Sequence, residues 1–123
     1  MNSFNAQDFY LWVIQHLGKK YCCVRSVDVA HYLSNSKPTV SCAVKKLIEK
    51  GLLIMESDGN LALTERGTKH MLRYCERCIF FVHLLLSAGM DPDTADREAF
   101  SLAQAIQPDT YIALEQYLSE RVL

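Results

Sequence analysis

Lys37, Thr39, Ser41, Cys42, Lys45 and Lys46 crowd into one short stretch and carry the chemistry of a phosphate and base-edge reader. Ammonium groups pair with phosphates, and small hydroxyls near a helix start reach phosphate oxygens or base edges. The stretch has one acid, Glu49, at its far end. It offers no exposed arginine, asparagine or glutamine for bidentate base contacts, so it does not specify which sequence would be read. A second set of reactive groups is Cys75 and Cys78, with Glu76 between them and His70 and His83 a turn or more away. Two thiolates are half of a tetrahedral zinc site. The ordinary alternative is a pair of small cysteines on a packed helix. A redox thiol would have to be exposed and electropositive, and Arg77 beside Cys78 is the one local cue. No Ser/His/Asp set, glycine-rich phosphate loop or carboxylate pair stands out, so an enzyme is not expected.

The phosphate-type residues need a helix presented to solvent, and their neighbours supply one. Ser26 stands at an N-cap position ahead of Val29, Ala30 and Leu33, and Ser34-Asn35-Ser36 interrupts that helix. Ser36 caps a second helix whose first turn holds Pro38, where a missing N–H is harmless. Val40, Val44, Leu47 and Ile48 recur at i, i+4, i+7 and i+8 and predict one buried face. Gly51 is a natural stop. Residues 52–55 and 61–63 are apolar and flank Ser57-Asp58-Gly59-Asn60, a loop of the kind that closes a hairpin. Thr64 would cap the next helix. This order is that of a winged helix-turn-helix, a shape that lays one helix in the major groove of duplex DNA. A plain helical segment carrying a hairpin is the bland alternative. Lys37, Pro38, Thr39, Ser41 and Cys42 are expected at or near the groove, Arg25, Lys45 and Lys46 at phosphates, and Asp58, Gly59 and Asn60 at the wing tip.

The chain has 123 residues, half of them hydrophobic, enough for one core in one compact unit with two lobes. Its formal net charge of −1 argues against a generic polyanion binder, but that neutrality conceals a split. Residues 19–50 hold seven Lys/Arg against two Asp/Glu, and residues 91–123 hold two against seven. A basic end that meets phosphate and an acidic end that faces away fit a DNA-binding regulator, although two ordinary solvated surfaces would look the same. Met1-Asn2-Ser3-Phe4 lacks the basic start and apolar run of a signal peptide. The longest apolar stretch, residues 78–86, is interrupted by His83 and too short to span a membrane. Five cysteines, two of them adjacent at Cys22-Cys23, do not suggest a disulfide framework, and a reducing cytoplasm fits.

The second half is expected to be helical. One long helix should run from Thr64 to about Ala88, ended by Gly89. Its apolar second half needs more covering than one small protomer offers, which points to a homodimer. Asp91-Pro92 starts another helix with Ala95, Ala99, Leu102, Ala103 and Ile106 on one face. After Gln107-Pro108-Asp109, a last helix places Tyr111, Leu114, Leu118 and Val122 on a stripe. The first helix, residues 8–17, carries Phe9, Val13 and Leu17 beside Trp12. The expected architecture is therefore mainly α: a winged-helix domain over residues 1–72, then a helical dimerisation domain over residues 73–123, with the helix at 64–88 shared.

Several of these residues also carry a family resemblance. They are Tyr10-Leu11-x-x-Ile14-x-x-Leu17, Arg25-x-x-Asp28-Val29-Ala30-x-x-Leu33, Pro38-Thr39-Val40-Ser41-x-x-Val44-x-Lys46-Leu47, Gly51-Leu52, Leu61-x-Leu63-Thr64-x-x-Gly67, Gly89-Met90-Asp91 and Glu98-Ala99. The chain resembles the diphtheria toxin repressor family of metal-dependent regulators, in particular its short manganese-responsive branch. The register holds from about residue 9 to residue 106. The resemblance implies a winged-helix DNA-binding domain, a helical dimerisation domain, and repression switched by iron or manganese.

At the switch the sequence departs from the family. The resemblance places metal ligands at positions held here by Phe9, Trp12, Cys78, Phe100, Ala103 and Gln104. Phenylalanine, tryptophan and alanine cannot ligate, and manganese wants oxygen and imidazole donors. The expectation is a DNA-binding regulator, acting as a homodimeric repressor, with no metal cofactor. Alternatives are a Mn- or Fe-dependent repressor with a rearranged site, zinc held through Cys75 and Cys78, an apolar effector among Phe9, Trp12 and Phe100, and a winged-helix module used for protein contact.

Overall fold

The computed structural model describes residues 5–120 and divides into two compact units, one of Ala6–Met71 and one that begins at Leu72 and takes in Asn5. The first contains α1 (Ala6–Lys20), α2 (Ser26–Leu33), α3 (Lys37–Glu49), β1 (Leu53–Met55), β2 (Leu61–Leu63) and α4 (Glu65–Met71). The second contains a 3-10 turn (Leu72–Tyr74), α5 (Cys75–Ser87), α6 (Pro92–Ala105) and α7 (Pro108–Ser119). The fold is mainly helical, a winged helix followed by helices.

Local chemistry sets the elements of the first unit. The Ser36 hydroxyl accepts the Thr39 N–H at 3.3 Å, and Pro38 occupies the first turn of α3. At the other end Gly51 has φ +77°, and paired bonds from Gly51 N–H to Ile48 O and from Leu52 N–H to Leu47 O close the helix. Val40, Val44 and Leu47 are buried, with Leu11, Val13, Ile14, Val24, Val29, Leu53 and Leu61 also in the core. Ile48, expected on that buried face, is 38% exposed, because a helix turning 100° per residue carries i+8 to the margin of the stripe. Ser26 is not the cap of α2. Arg25 holds that position, and its N–H donates to the Asp28 carboxylate at 2.8 Å.

The turn between α2 and α3 places Ser34 at φ +56°, with Ser34 N–H donating to His31 O and Asn35 N–H to Ala30 O. A side chain in the left-handed region costs about 1–2 kcal/mol, and glycine removes that cost while adding chain entropy to the unfolded state. Ser34→Gly should therefore stabilise the protein by about 1 kcal/mol and raise the melting temperature by roughly 3–6 °C. Thermal denaturation followed by circular dichroism checks this, and an unchanged or lower midpoint refutes it.

β1 and β2 pair antiparallel with Leu53 opposite Leu63 and Met55 opposite Leu61. Thr64 then opens α4. Its hydroxyl donates to Gly51 O at 2.6 Å and accepts the Gly67 N–H at 3.0 Å. The expected helix over 64–88 is not continuous: α4 stops at Met71, a 3-10 turn intervenes, and α5 begins at Cys75. No glycine or proline lies between Gly67 and Gly89 to announce that break.

In the second unit Phe80, Phe81, Ala99 and Tyr111 form the core, with Val82, Leu84, Leu85, Ile106, Leu114 and Leu118 packed around it. Phe80 meets Phe81 and Tyr111 edge-on, at centroid distances of 5.2 and 5.6 Å. Burial pushes the Tyr111 phenol up to about 12, helped by the negative charges of Glu115 and Glu76. Asp91 caps α6 by accepting the Thr94 N–H, and hydrogen bonds from the Thr94 hydroxyl and N–H hold its carboxyl below the usual range. Leu102, expected on the buried face of α6, is 41% exposed, whereas Ala95, Ala99 and Ala103 are fully buried. Ile79 and Leu86 on α5 are 54% and 42% exposed, so the chain leaves this apolar helix open on one side. Val122 of the expected last stripe lies outside the described residues.

Candidate nucleic-acid interface

The buried positions of α3 fix which of its residues face solvent. With Val40, Val44 and Leu47 inward, Lys37, Ser41 and Lys45 line up at i, i+4 and i+8 on the outside, flanked by Pro38, Thr39, Cys42 and Lys46, and all seven are exposed. Among the described residues, no ion pair engages Lys37, Lys45 or Lys46. Thr39 shares a 2.7 Å hydroxyl contact with Ser36, so its side chain also holds the helix start. Lys50, part of the same basic stretch, is drawn off this face and donates its ammonium to the Gln7 side chain on α1.

The wing is held by contacts the sequence does not announce. Asn60 is the centre of the turn. Its Oδ1 accepts the Val24 N–H at 2.8 Å, its Nδ2 donates to Glu56 at 2.6 Å, and its own N–H donates to Asp58 Oδ1 at 2.9 Å. Leu61 N–H donates to Val24 O at 2.7 Å. The segment ahead of α2 thus lies along β2 as a third line of backbone. Arg25, expected at a phosphate, reaches the wing: its Nε donates to Asp58 O at 2.8 Å, and its side-chain carbons cover Gly59, which has φ +89°. Asp58 is the exposed residue of the tip, whereas Gly59 and Asn60 are half-buried and Asn60 is structural. Asn60→Ala leaves the Val24 amide without its acceptor and unties the loop. The expected loss is about 2 kcal/mol, read as a lower midpoint in urea, and a midpoint equal to the parent's would show that the loop holds itself.

The positions that the family resemblance assigns to metal carry a different chemistry. In the first unit Phe9 stacks on Trp12 with centroids 6.0 Å apart, and Trp12 stacks on His16 at 4.6 Å. Asp8, the carboxylate of this part of α1, is buried, and its Oδ1 lies 2.8 Å from His70 Nε2 on α4. Sequence reasoning missed that pair, because its members are 62 residues apart. In the second unit Phe100 is fully buried with its ring edge-on to Tyr74 at 5.0 Å, and Ala103 is fully buried. Gln104 donates its Nε2 to Asn5 O at 3.1 Å, and its Oε1 is buried without a partner. Cys78 is half-buried. Rings, a methyl group, one amide and one thiol do not make the oxygen and imidazole set of a manganese or iron site. Among the described residues no three His, Cys, Asp or Glu side chains converge. No described helix is long and apolar enough to cross a membrane.

Known proteins agree with this architecture. The transcriptional regulator MntR of Escherichia coli O6:H1 is 30% identical over 110 residues, spanning 89% of this chain and 71% of that protein. MntR of Salmonella typhimurium LT2 is 30% identical over 103 residues, 84% of this chain and 66% of the relative. Among solved structures, IdeR of T. acidophilum superposes with a TM-score of 0.73 at 21% identity, covering 97% of this chain and 56% of that one. ScaR with bound Zn2+ gives a TM-score of 0.60 at 26% identity, covering 92% of this chain and 53% of that one. The chain thus spans about half the length of these solved structures. No protein-family model matches it. Both sequence and fold carry one conclusion: the chain belongs to the diphtheria toxin repressor family of metal-dependent transcriptional regulators, the family of MntR and IdeR.

Proposed function

We propose that this regulator binds duplex DNA through α3 and the wing, acts as a homodimeric repressor in the cytoplasm, and is not switched by manganese or iron. The family is one of transcriptional regulators, not of enzymes. The observation that carries DNA binding is the exposed line of Lys37, Ser41 and Lys45 with Thr39, Cys42 and Lys46 beside it. Cations and hydroxyls on an exposed helix match phosphates and base edges in a major groove. The dimer is supported by Ile79 and Leu86 on α5 and Ile112 and Tyr117 on α7, large apolar side chains left open to solvent. Independence from manganese and iron is supported by the apolar side chains of Phe9, Trp12, Phe100 and Ala103.

Selection of bound duplexes from a random pool, with and without manganese or iron, tests both parts. The expected result is one enriched motif with two half-sites about one helical turn apart. Its affinity should be the same, within a factor of about 2, whether or not metal is present, and should fall with salt at a slope of roughly −5 for about six phosphate contacts per dimer. Enrichment that requires metal would refute the switch, and no enrichment under any condition would refute DNA binding.

A further inference from the structure

The hairpin proposed to meet DNA carries no cation of its own. Residues 52–64 hold two acids, Glu56 and Asp58, and no lysine or arginine. Both acids are engaged within the loop, where Glu56 accepts from the Asn60 side chain and Asp58 Oδ1 from the Asn60 N–H. Arg25, in the segment ahead of α2, brings the missing charge. Its Nε donates to Asp58 O at 2.8 Å across 33 residues of sequence. A Cβ at Gly59 would lie 3.4 Å from Arg25 Cδ and 3.5 Å from its Nε, so the side chain crosses the tip over a half-buried Gly59. Arg25 is nonetheless exposed, and among the described residues no ion pair engages it.

A guanidinium fixed on a thin projection suits the minor groove better than a phosphate. Phosphates accept any cation, lysine as readily as arginine, and need no fixed fork. The minor groove is about 6 Å wide, room for a side chain but not for a helix. It narrows over A·T runs, where its negative potential deepens and draws in arginine. A guanidinium is more weakly hydrated than an ammonium, so it sheds water on entry at lower cost. The Asp58 bond holds the side chain before any DNA arrives, which leaves less rotamer freedom to lose on binding. A helix in the major groove paired with arginine in the adjacent minor groove recurs in other DNA-binding folds.

On the reading that α3 lies in the major groove of duplex DNA, we propose that Arg25 enters the adjacent minor groove from the wing tip and selects A·T over G·C pairs there. The guanine amino group projects into that groove and obstructs a guanidinium, whereas A·T pairs present only acceptors.

The test measures binding of the full chain to three forms of the selected duplex by fluorescence anisotropy. Pairs about half a helical turn to either side of each half-site are made A·T, G·C or inosine·C. Inosine·C keeps the major-groove face of G·C but lacks the guanine amino group. The A·T and inosine·C forms should bind about 10-fold more tightly than the G·C form. Arg25→Ala and Arg25→Lys should each bind all three alike, within a factor of about 2. Arg25→Lys keeps the charge without the fork, so it decides the matter if Arg25→Ala loosens the wing. Three results would each overturn the role of Arg25 while leaving duplex binding by α3 in place: no preference in the parent, inosine·C that behaves as G·C, or a preference that survives in either variant. A parent that binds none of the duplexes would overturn the underlying reading as well.

Discussion

Replacing Lys45 and Lys46 together by glutamate should weaken duplex binding by about 100-fold or more and leave the fold intact. Both side chains are exposed on the outer face of α3 and no ion pair engages them, so their removal opens no cavity and orphans no buried partner. Surface changes of this kind stay within about 0.5 kcal/mol of the parent stability. The DNA effect is larger for two reasons. On the proposed interface each reversal removes a cation from a phosphate and puts an anion in its place, and the proposed dimer would carry every change twice. A loss of about 100-fold or more in affinity follows, roughly 3 kcal/mol, and the salt dependence becomes shallower by about one unit for every phosphate left without its cation. Fluorescence anisotropy with the selected duplex, beside the melting curve of the variant, separates the two effects. Unchanged affinity would remove α3 from the interface, and a collapsed melting curve would show that the lysines serve the fold.

The largest stability effect is expected at Gly67, where helix propensity and packing give opposite signs. Alanine is favoured over glycine inside a helix by about 1 kcal/mol, which would make Gly67→Ala stabilising. The tertiary structure reverses that. A Cβ at this position would lie 2.0 Å from the Leu52 carbonyl oxygen and 3.0 Å from its carbon. That oxygen belongs to the backbone and accepts the Thr64 N–H at 3.1 Å, so it has no free rotation with which to withdraw. Relief requires α4 to lift from the chain that joins α3 to the wing, loosening the Thr64 hydrogen bonds to Gly51 and Gly67 as it goes. The net cost is about 3 kcal/mol, near the top of the overpacking range, and a fall in melting temperature of roughly 10 °C or more. A midpoint at or above the parent's would show that the helix finds room.

These two sites differ in how far they could be read in advance. The outward stripe of α3 was legible because helix geometry turns a list of apolar positions into a buried face, and the remainder faces water. The caps at Ser36 and Thr64 and the stop at Gly51 were legible for the same reason: each satisfies backbone groups within a few residues. Ile48 and Leu102 were misplaced because the edge of a stripe depends on what packs against it. The helix expected over 64–88 was misread because no glycine or proline marks the 3-10 turn at Leu72–Tyr74.

What the sequence alone determined is the order of helices and hairpin, the exposed basic stretch on α3 and the family resemblance, all carried by residue type and short spacing. It also carries phenylalanine, tryptophan and alanine at the positions where the resemblance implies metal ligands. Only the tertiary structure decided the roles of Arg25, Asn60 and Gly67. Arg25 reaches Asp58 across 33 residues of sequence, Asn60 reaches Val24 across 36, and the Leu52 carbonyl occupies the space where a Gly67 side chain would be. Such contacts join segments that no local periodicity relates, and a side chain's hydrogen-bond partner is settled by which segment folding brings within about 3 Å.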